Sequence, residues 1–306
     1  MENVLIVYYT GTGSTKLVAE EVHSNLSVKN VTSEMHRLTV ASKDDLINKA
    51  MTCQSLILIY AVHAFNAPDL VYTWLRDLNE QGQLTDGMQK KAMVISVSGG
   101  GDMLSNTACR VKAKRLLEKK RFKVVTEAMV AMPNNWMSAT PDDISKALIG
   151  VMPKKVDQWI DAFLQNKAVA VLSTKPIDRL ITSLGRLEVK GAVQFGKNIK
   201  VSEACNGCGW CAKNCPASNI TMTAQLDHEI PTFGQVCHFC LGCIYGCPQK
   251  ALTPGKMKFA VIPTGYPLKK YMQQPEVPLT ESEIMAQLKG VSWNGVRRYL
   301  EDKNDR

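Results

Sequence analysis

The sequence predicts two joined units: a doubly wound α/β domain with a five-stranded parallel sheet over residues 1–165, and a small α+β module over residues 201–254. Three observations carry that division. Short apolar runs alternate with helix-like stretches through the first half, a loop of glycines and hydroxyl side chains follows the first run, and eight of the ten cysteines recur late in one spacing. Residues 166–200 read as a linker containing an amphipathic helix, and residues 255–306 as a C-terminal extension.

Val4 to Tyr9, Ser55 to Tyr60, Ala92 to Val97 and Val124 to Met132 are continuous apolar runs of strand length, with a weaker candidate from Glu34 to Leu38. Strands covered on both faces lose the polar alternation of half-exposed ones, so unbroken apolar runs point to a parallel sheet sandwiched by helices. The intervening helices are expected at Ser14 to Leu26, Pro68 to Leu78, Ser105 to Lys120 and Pro141 to Leu164, where apolar residues recur at helical spacing. Alternating strands and crossover helices of this kind build an open α/β sheet, which binds ligands at the carboxyl ends of its strands.

The first such end carries Thr10-Gly11-Thr12-Gly13-Ser14-Thr15, poised on a helix start. Backbone N–H groups, hydroxyls and the positive end of a helix dipole converge there, which is the chemistry of a phosphate cradle. A Gly-x4-Gly-Lys-Ser/Thr string is missing after any strand, which argues against nucleoside triphosphates. Lys16 stands where a Gly-x-Gly-x-x-Gly fingerprint would place its third glycine, which argues against a nicotinamide dinucleotide. Four hydroxyl side chains in six residues suit a terminal monophosphate.

The cysteines form the runs Cys205-x2-Cys208-x2-Cys211-x3-Cys215-Pro216 and Cys237-x2-Cys240-x2-Cys243-x3-Cys247-Pro248. This is the spacing of the bacterial two-cluster iron–sulfur run, in which the fourth cysteine of each copy serves the other cluster. The expected sets are therefore Cys205, Cys208, Cys211 and Cys247 for a first [4Fe–4S] centre, and Cys237, Cys240, Cys243 and Cys215 for a second. Zinc modules pair two Cys-x2-Cys units instead, and disulfide frameworks belong to small secreted chains, whereas this one has 306 residues. Cys53 and Cys109 lack such partners and read as core or helix-face thiols.

Residues 201–254 resemble the bacterial two-cluster ferredoxins, and residues 1–165 resemble the flavodoxins through Thr10, Thr12, Gly13, Ser14 and Thr15. In whole-chain organisation the sequence resembles the flavodoxin–ferredoxin fusion proteins of anaerobic bacteria and archaea, the EFR-type ferredoxins. The resemblance implies FMN, with its phosphate on the first loop and its ring between a second loop (Ala61, Val62, His63, Ala64, Phe65, Asn66, Ala67, Pro68) and a third (Ser98, Gly99, Gly100, Gly101, Asp102). Many flavodoxins stack a tryptophan and a tyrosine on the flavin. Here the second loop offers only His63 and Phe65 and the third no aromatic, so one flavin face is expected to be open, with Trp136 a candidate for its edge. His63 is a candidate proton donor to the flavin, against a plain structural hydrogen bond. His228 reads as surface or inter-strand packing.

The implied activity is electron transfer between an external redox protein, two clusters and FMN, converting one-electron into two-electron steps. The alternative is a reductase acting on a small organic acceptor at the flavin, and a third reading is a regulatory module sensing oxygen or iron. The formal charge of +9 is largely offset once two clusters and a flavin phosphate are included, leaving roughly +3. Lys112, Lys114, Arg115, Lys119, Lys120 and Arg121, with Lys190, Lys197 and Lys200, form a basic surface suited to an acidic redox partner. No aromatic stacking platform accompanies them, which argues against nucleic acid, and no 18-residue apolar run occurs, so the expectation is a soluble cytoplasmic protein without a membrane role. The linker's amphipathic stretch is placed at Ile177 to Leu187. The extension is expected as extended chain through Pro263, Pro267, Pro275 and Pro278, then one helix from Ser282 to Leu288 and a polar end.

Overall fold

The computed structural model describes residues 3–78, 89–103, 106–171, 176–185, 188–225, 228–273 and 279–301. The first half forms β1 (Asn3–Tyr9), α1 (Ser14–Val28), β2 (Thr32–Arg37), α2 (Lys43–Thr52), β3 (Ser55–Ala61), α3 (Asp69–Asp77), β4 (Lys90–Ser98), α4 (Val111–Lys119), β5 (Phe122–Ala131) and α5 (Asp142–Leu164). All neighbouring strands pair in parallel in the order β2-β1-β3-β4-β5. That is the flavodoxin-like doubly wound order, whose strand direction of travel reverses between β1 and β3. The loops leaving those two strands diverge there and open a crevice, and they are the first and second loops singled out in the sequence.

Each sheet face buries one apolar layer. On one side Val4, Ile6, Ile57 and Ile95 meet Val18, Val22 and Leu26 of α1 and Leu148, Trp159 and Phe163 of α5. On the other, Leu5, Val7, Leu58 and Val94 meet Leu46 of α2, Trp74 of α3 and Leu117 of α4. Fully buried side chains of this size each contribute about 1.5–3 kcal/mol relative to exposure. The helix expected from Ser105 is split: a 3-10 turn, Thr107–Arg110, precedes α4, and Ser105 itself lies outside the described residues. Helix α2 was not expected, because its surface carries charge and only Leu46, Ile47 and Ala50 are buried.

The linker region holds two helices, α6 (Pro176–Gly185) and α7 (Glu188–Asn198). The amphipathic stretch is inverted relative to an ordinary surface helix: Asp178 and Thr182 are buried while Ile177, Leu180 and Leu184 are exposed. The buried side is anchored by Asn66 Nδ2, which donates to the Thr182 carbonyl at 2.7 Å.

The cysteine-rich segment contains β6 (Lys200–Val201), α8 (Trp210–Asn214), β7 (Ile220–Ala224), β8 (Glu229–Phe233), α9 (Gly242–Gly246) and β9 (Leu252–Thr253). β7 pairs antiparallel with β8 and β6 with β9. A small core of Phe195, Cys211, Ile220, Phe239, Leu241 and Leu252 knits α7 to this segment.

The C-terminal extension holds the expected helix, at Glu281–Gln287 against Ser282 to Leu288, but the expectation of extended chain before it and a polar end after it needs correction. It folds as α10 (Leu268–Gln273), α11 (Glu281–Gln287) and α12 (Asn294–Leu300). Leu268, Tyr271, Ile284, Leu288, Val296 and Tyr299 join the core on the α1 and α5 face. A capping box between Thr280 and Glu283 starts α11. Pro275 and Pro278 lie outside the described residues.

Candidate functional site

A cleft of about 520 Å³ opens at the carboxyl ends of the strands. Thr10, Gly11, Thr12, Ser14 and Thr15 line it from the first loop, Ala61, Val62, His63, Ala64 and Phe65 from the second, and Ser98, Gly99 and Gly100 from the third. Gly13, Asn66, Gly101 and Asp102 do not line it. Gly13 sits at φ 108 as the N-cap of α1, so it shapes the turn. Asn66 is occupied in holding α6. The Asp102 carbonyl accepts from Arg298 Nη2, and burial raises the carboxyl's pKa.

The first loop fits a phosphate. With Gly13 offering no side-chain cap, the first N–H groups of α1 have no intrahelical acceptor. Thr10 Oγ1 accepts from Gly13 N–H at 3.1 Å, and Thr12 Oγ1 accepts from Asn135 Nδ2 at 2.8 Å, so both hydroxyl protons remain to be donated into the cleft. Tyr266 donates to the Pro133 carbonyl at 3.0 Å, leaving its oxygen to accept from Ser14 Oγ at 2.5 Å. Exchanging both Thr12 and Thr15 for Ala is expected to lower flavin occupancy of the purified protein several-fold with iron content unchanged; undiminished flavin would remove the loop's assigned role.

Residues beyond the three expected loops complete the cleft, Trp136 among them as expected. The loop after β5 contributes Asn134, Asn135, Trp136 and Thr140, the second cysteine run contributes Phe239, Cys240 and Leu241, and the C-terminal extension contributes Ser292 and Trp293. The missing aromatic wall is thus supplied from outside the second and third loops. Only the position of the Trp136 loop, after a strand's carboxyl end, was a usable signal.

His63 is held as a neutral structural group. Its Nδ1 donates to the His238 carbonyl at 3.1 Å, Tyr9 packs edge-on at 5.7 Å, and burial, with His238 beside it, lowers its pKa to about 4. A neutral ring whose Nδ1 proton is committed leaves Nε2 as an acceptor, which argues against direct proton donation. The folded state takes up the His63 proton only near pH 4, whereas the unfolded chain does so near 6.5, so this group's contribution to stability is lost as pH falls through that window. In urea unfolding, His63→Asn should flatten that part of the pH profile, and an unchanged profile would refute the assignment.

The eight cysteines gather into two groups. Cys205, Cys208, Cys211 and Cys247 surround one small cavity, and Cys215, Cys237, Cys240 and Cys243 surround another. Among the described residues, no three His, Cys, Asp or Glu side chains converge as the ligands of a single metal ion. A cubane distributes its thiolates over four separate irons and so spreads them more widely than one ion does. Backbone N–H groups of Asn219, Phe239 and Ala251 each approach a cysteine sulfur at 3.4 Å, on Cys215, Cys237 and Cys247 respectively. Burial raises the pKa of Cys211, Cys237, Cys240 and Cys243, with neighbouring cysteines adding to it, so negative charge on these sulfurs is disfavoured in the protein alone. Cys53 and Cys109 are buried, with burial raising their pKa to about 11 and about 12, and stand apart from both groups.

The cysteine groups and the cleft share a wall. A Cβ placed on Gly11 would lie 2.5 Å from Cys240 Cβ and 2.6 Å from its carbonyl oxygen, so the first loop passes directly over the second cysteine run. Arg37 Nη2 donates to the Thr10 carbonyl at 3.1 Å and to the Asn214 carbonyl at 3.0 Å, fastening the loop to the residue before Cys215. Tyr245 of α9 donates to the Asn135 carbonyl at 2.9 Å, closing a third tie. Cys208 is exposed, whereas Cys240 lies in the cleft wall. Of the basic residues on α4, Lys114 is paired with buried Glu127 at 2.7 Å and Lys112 lies over the Tyr72 ring at 4.0 Å. His228 is exposed beside β8.

No protein-family model matches the chain, and no curated protein matches it. Among the described residues no helix is long and apolar enough to cross a membrane. Solved structures with a similar fold include a flavone reductase (13% identity, 53% of this chain and 63% of that chain, TM-score 0.38). A flavodoxin from the domain Archaea (10% identity, 53% and 99%, TM-score 0.36) is another. A third is the general stress protein 14 of Treponema denticola in complex with FMN (12% identity, 54% and 99%, TM-score 0.37). At such identities and scores the likeness says nothing of ligand or activity, and the fold assignment rests on the strand order itself.

Proposed function

We propose that this chain relays electrons between an external redox protein, two [4Fe–4S] clusters and FMN, joining one-electron to two-electron chemistry. The observation that carries the reading is the contact of Gly11 with Cys240, which makes one cysteine group part of the cleft wall. FMN, when bound, exchanges either one or two electrons, whereas a cluster exchanges one. Thr10, Thr12 and the N-terminus of α1 would hold its phosphate, and the second and third loops would take its ring. Cys205, Cys208, Cys211 and Cys247 would hold the outer cluster, with Cys208 near the surface for a partner protein, and Cys215, Cys237, Cys240 and Cys243 the inner one. The cysteine segment then corresponds to a ferredoxin-like module of the fusion family that the sequence resembles.

An anaerobic potentiometric titration with visible and EPR detection, with iron and flavin measured on the same sample, tests the relay. About eight irons, one FMN and overlapping cluster and flavin potentials are expected. Full clusters beside an unresponsive cleft would overturn the assignment of FMN. The crossed ligation has its own test: Cys215→Ser should damage the inner cluster's EPR signal and spare the outer one, and the reverse pattern would refute it.

A further inference from the structure

Lys, Arg, Asp and Glu make up 21% of the chain, yet among the described residues none lines the 520 Å³ cleft. Its outer wall is aromatic. Trp136 and Trp293 reach it from separate segments, and Phe239, stacked on Phe195 at 4.2 Å and edge-on to Trp136 at 6.2 Å, forms part of the same wall.

Both tryptophans stand on fixed backbone. Asn134 receives the Trp136 N–H at 3.3 Å and donates its own side-chain amide to the Trp136 carbonyl at 2.7 Å. Trp293 precedes Gly295, whose Cα is so close to the third loop that an added Cβ would lie 2.3 Å from the Gly100 carbonyl. Trp136 remains 41% exposed, so a ring has access to its face.

We infer that the acceptor served at this cleft is an uncharged, planar, conjugated carbonyl compound of the quinone class, taken up against Trp136, Trp293 and Phe239. This rests on the reading that FMN occupies the loop-lined depth of the cleft. An ionic acceptor entering here would shed water without meeting a counter-charge, which is strongly unfavourable. A flat neutral ring loses little by leaving water and gains stacking on the aromatic wall. On the relay reading, reducing equivalents come through the cysteine side. In the balanced reaction the quinone gains two electrons and two protons to become the hydroquinone. A low-potential one-electron carrier protein is oxidised twice per quinone, and solvent supplies the protons.

The test is calorimetric binding to the intact cofactor-loaded protein of two probes with the same ring system, neutral hydroxymethylanthraquinone and anionic anthraquinone monosulfonate. The neutral probe is expected to bind at least about tenfold more tightly. Trp293→Ala should weaken it by about tenfold while flavin and iron contents stay unchanged, and Trp293→Phe should restore most of the loss. Ser292→Lys, at an exposed rim position, should shift the preference toward the sulfonate. Equal or tighter binding of the sulfonate by the unaltered protein would overturn the inference, as would full affinity in Trp293→Ala. Failure of the parent reading is separable, because it appears as missing flavin absorbance before any quinone is added.

Discussion

Gly11→Ala is expected to deplete two cofactors with one methyl group. The new Cβ would fall 2.5 Å from Cys240 Cβ, 2.6 Å from the Cys240 carbonyl and 3.1 Å from its sulfur. Neither neighbour can yield freely: the added atom meets backbone on one side, and on the other side Gly242 is itself packed so tightly on the Gly11 carbonyl that a Cβ there would lie 2.6 Å away. Overpacking of this kind displaces backbone at about 1–3 kcal/mol or more. Because the displaced segments are the first loop and Cys240, which the proposed relay assigns to FMN and to the inner cluster, FMN occupancy and inner-cluster iron should fall together, while the outer cluster's EPR signal survives. Loss of flavin with a full complement of iron would show that the loop and Cys240 move independently.

The second large effect concerns the C-terminal helices. A chain ending at Thr264 would lose Leu268, Tyr271, Ile284, Leu288, Val296 and Tyr299, all at most 8% exposed, from the layer that also holds α1 and α5. At about 1.5–3 kcal/mol for each large apolar side chain, less the entropy of ordering the segment, the loss is comparable with the whole stability of an ordinary domain. The truncated protein should be insoluble or bind a hydrophobic dye strongly, with no cooperative thermal transition. A soluble product that melts cooperatively near the full-length midpoint would show that these helices are accessory.

Particular residues explain which parts were legible. Strands β1, β3 and β4 announce themselves because both faces are covered, so nearly every residue from Val4 to Tyr9 is apolar and buried. β2 is an edge strand with the pattern Thr-Ser-Glu-Met-His-Arg, and its signal is correspondingly faint. The three loops could be found because strand ends and helix starts are local features. The aromatic wall could not, since Phe239 and Trp293 reach the cleft only through tertiary packing. In the extension, Pro263 and Pro267 suggest extended chain, but Pro267 leads directly into α10, and α10 and α12, at six and seven residues, are too short to display a periodicity, whereas the stretch of α11 reads as a helix. The Thr280 and Glu283 capping pair is the one readable sign of a helix start in that stretch.

Trp293 and Gly295 close a cleft whose floor is laid by Thr10 to Thr15, so the two ends of its perimeter are separated by most of the polypeptide. A ribosome making this chain exposes the phosphate loop long before the rim of the same cavity. The cysteine runs emerge in between, so on the proposed reading they are available for iron–sulfur delivery before the cleft's rim exists. If the relay reading holds, metal sulfide can be delivered before the cleft is closed to its acceptor, an order written in nothing more than the direction of synthesis.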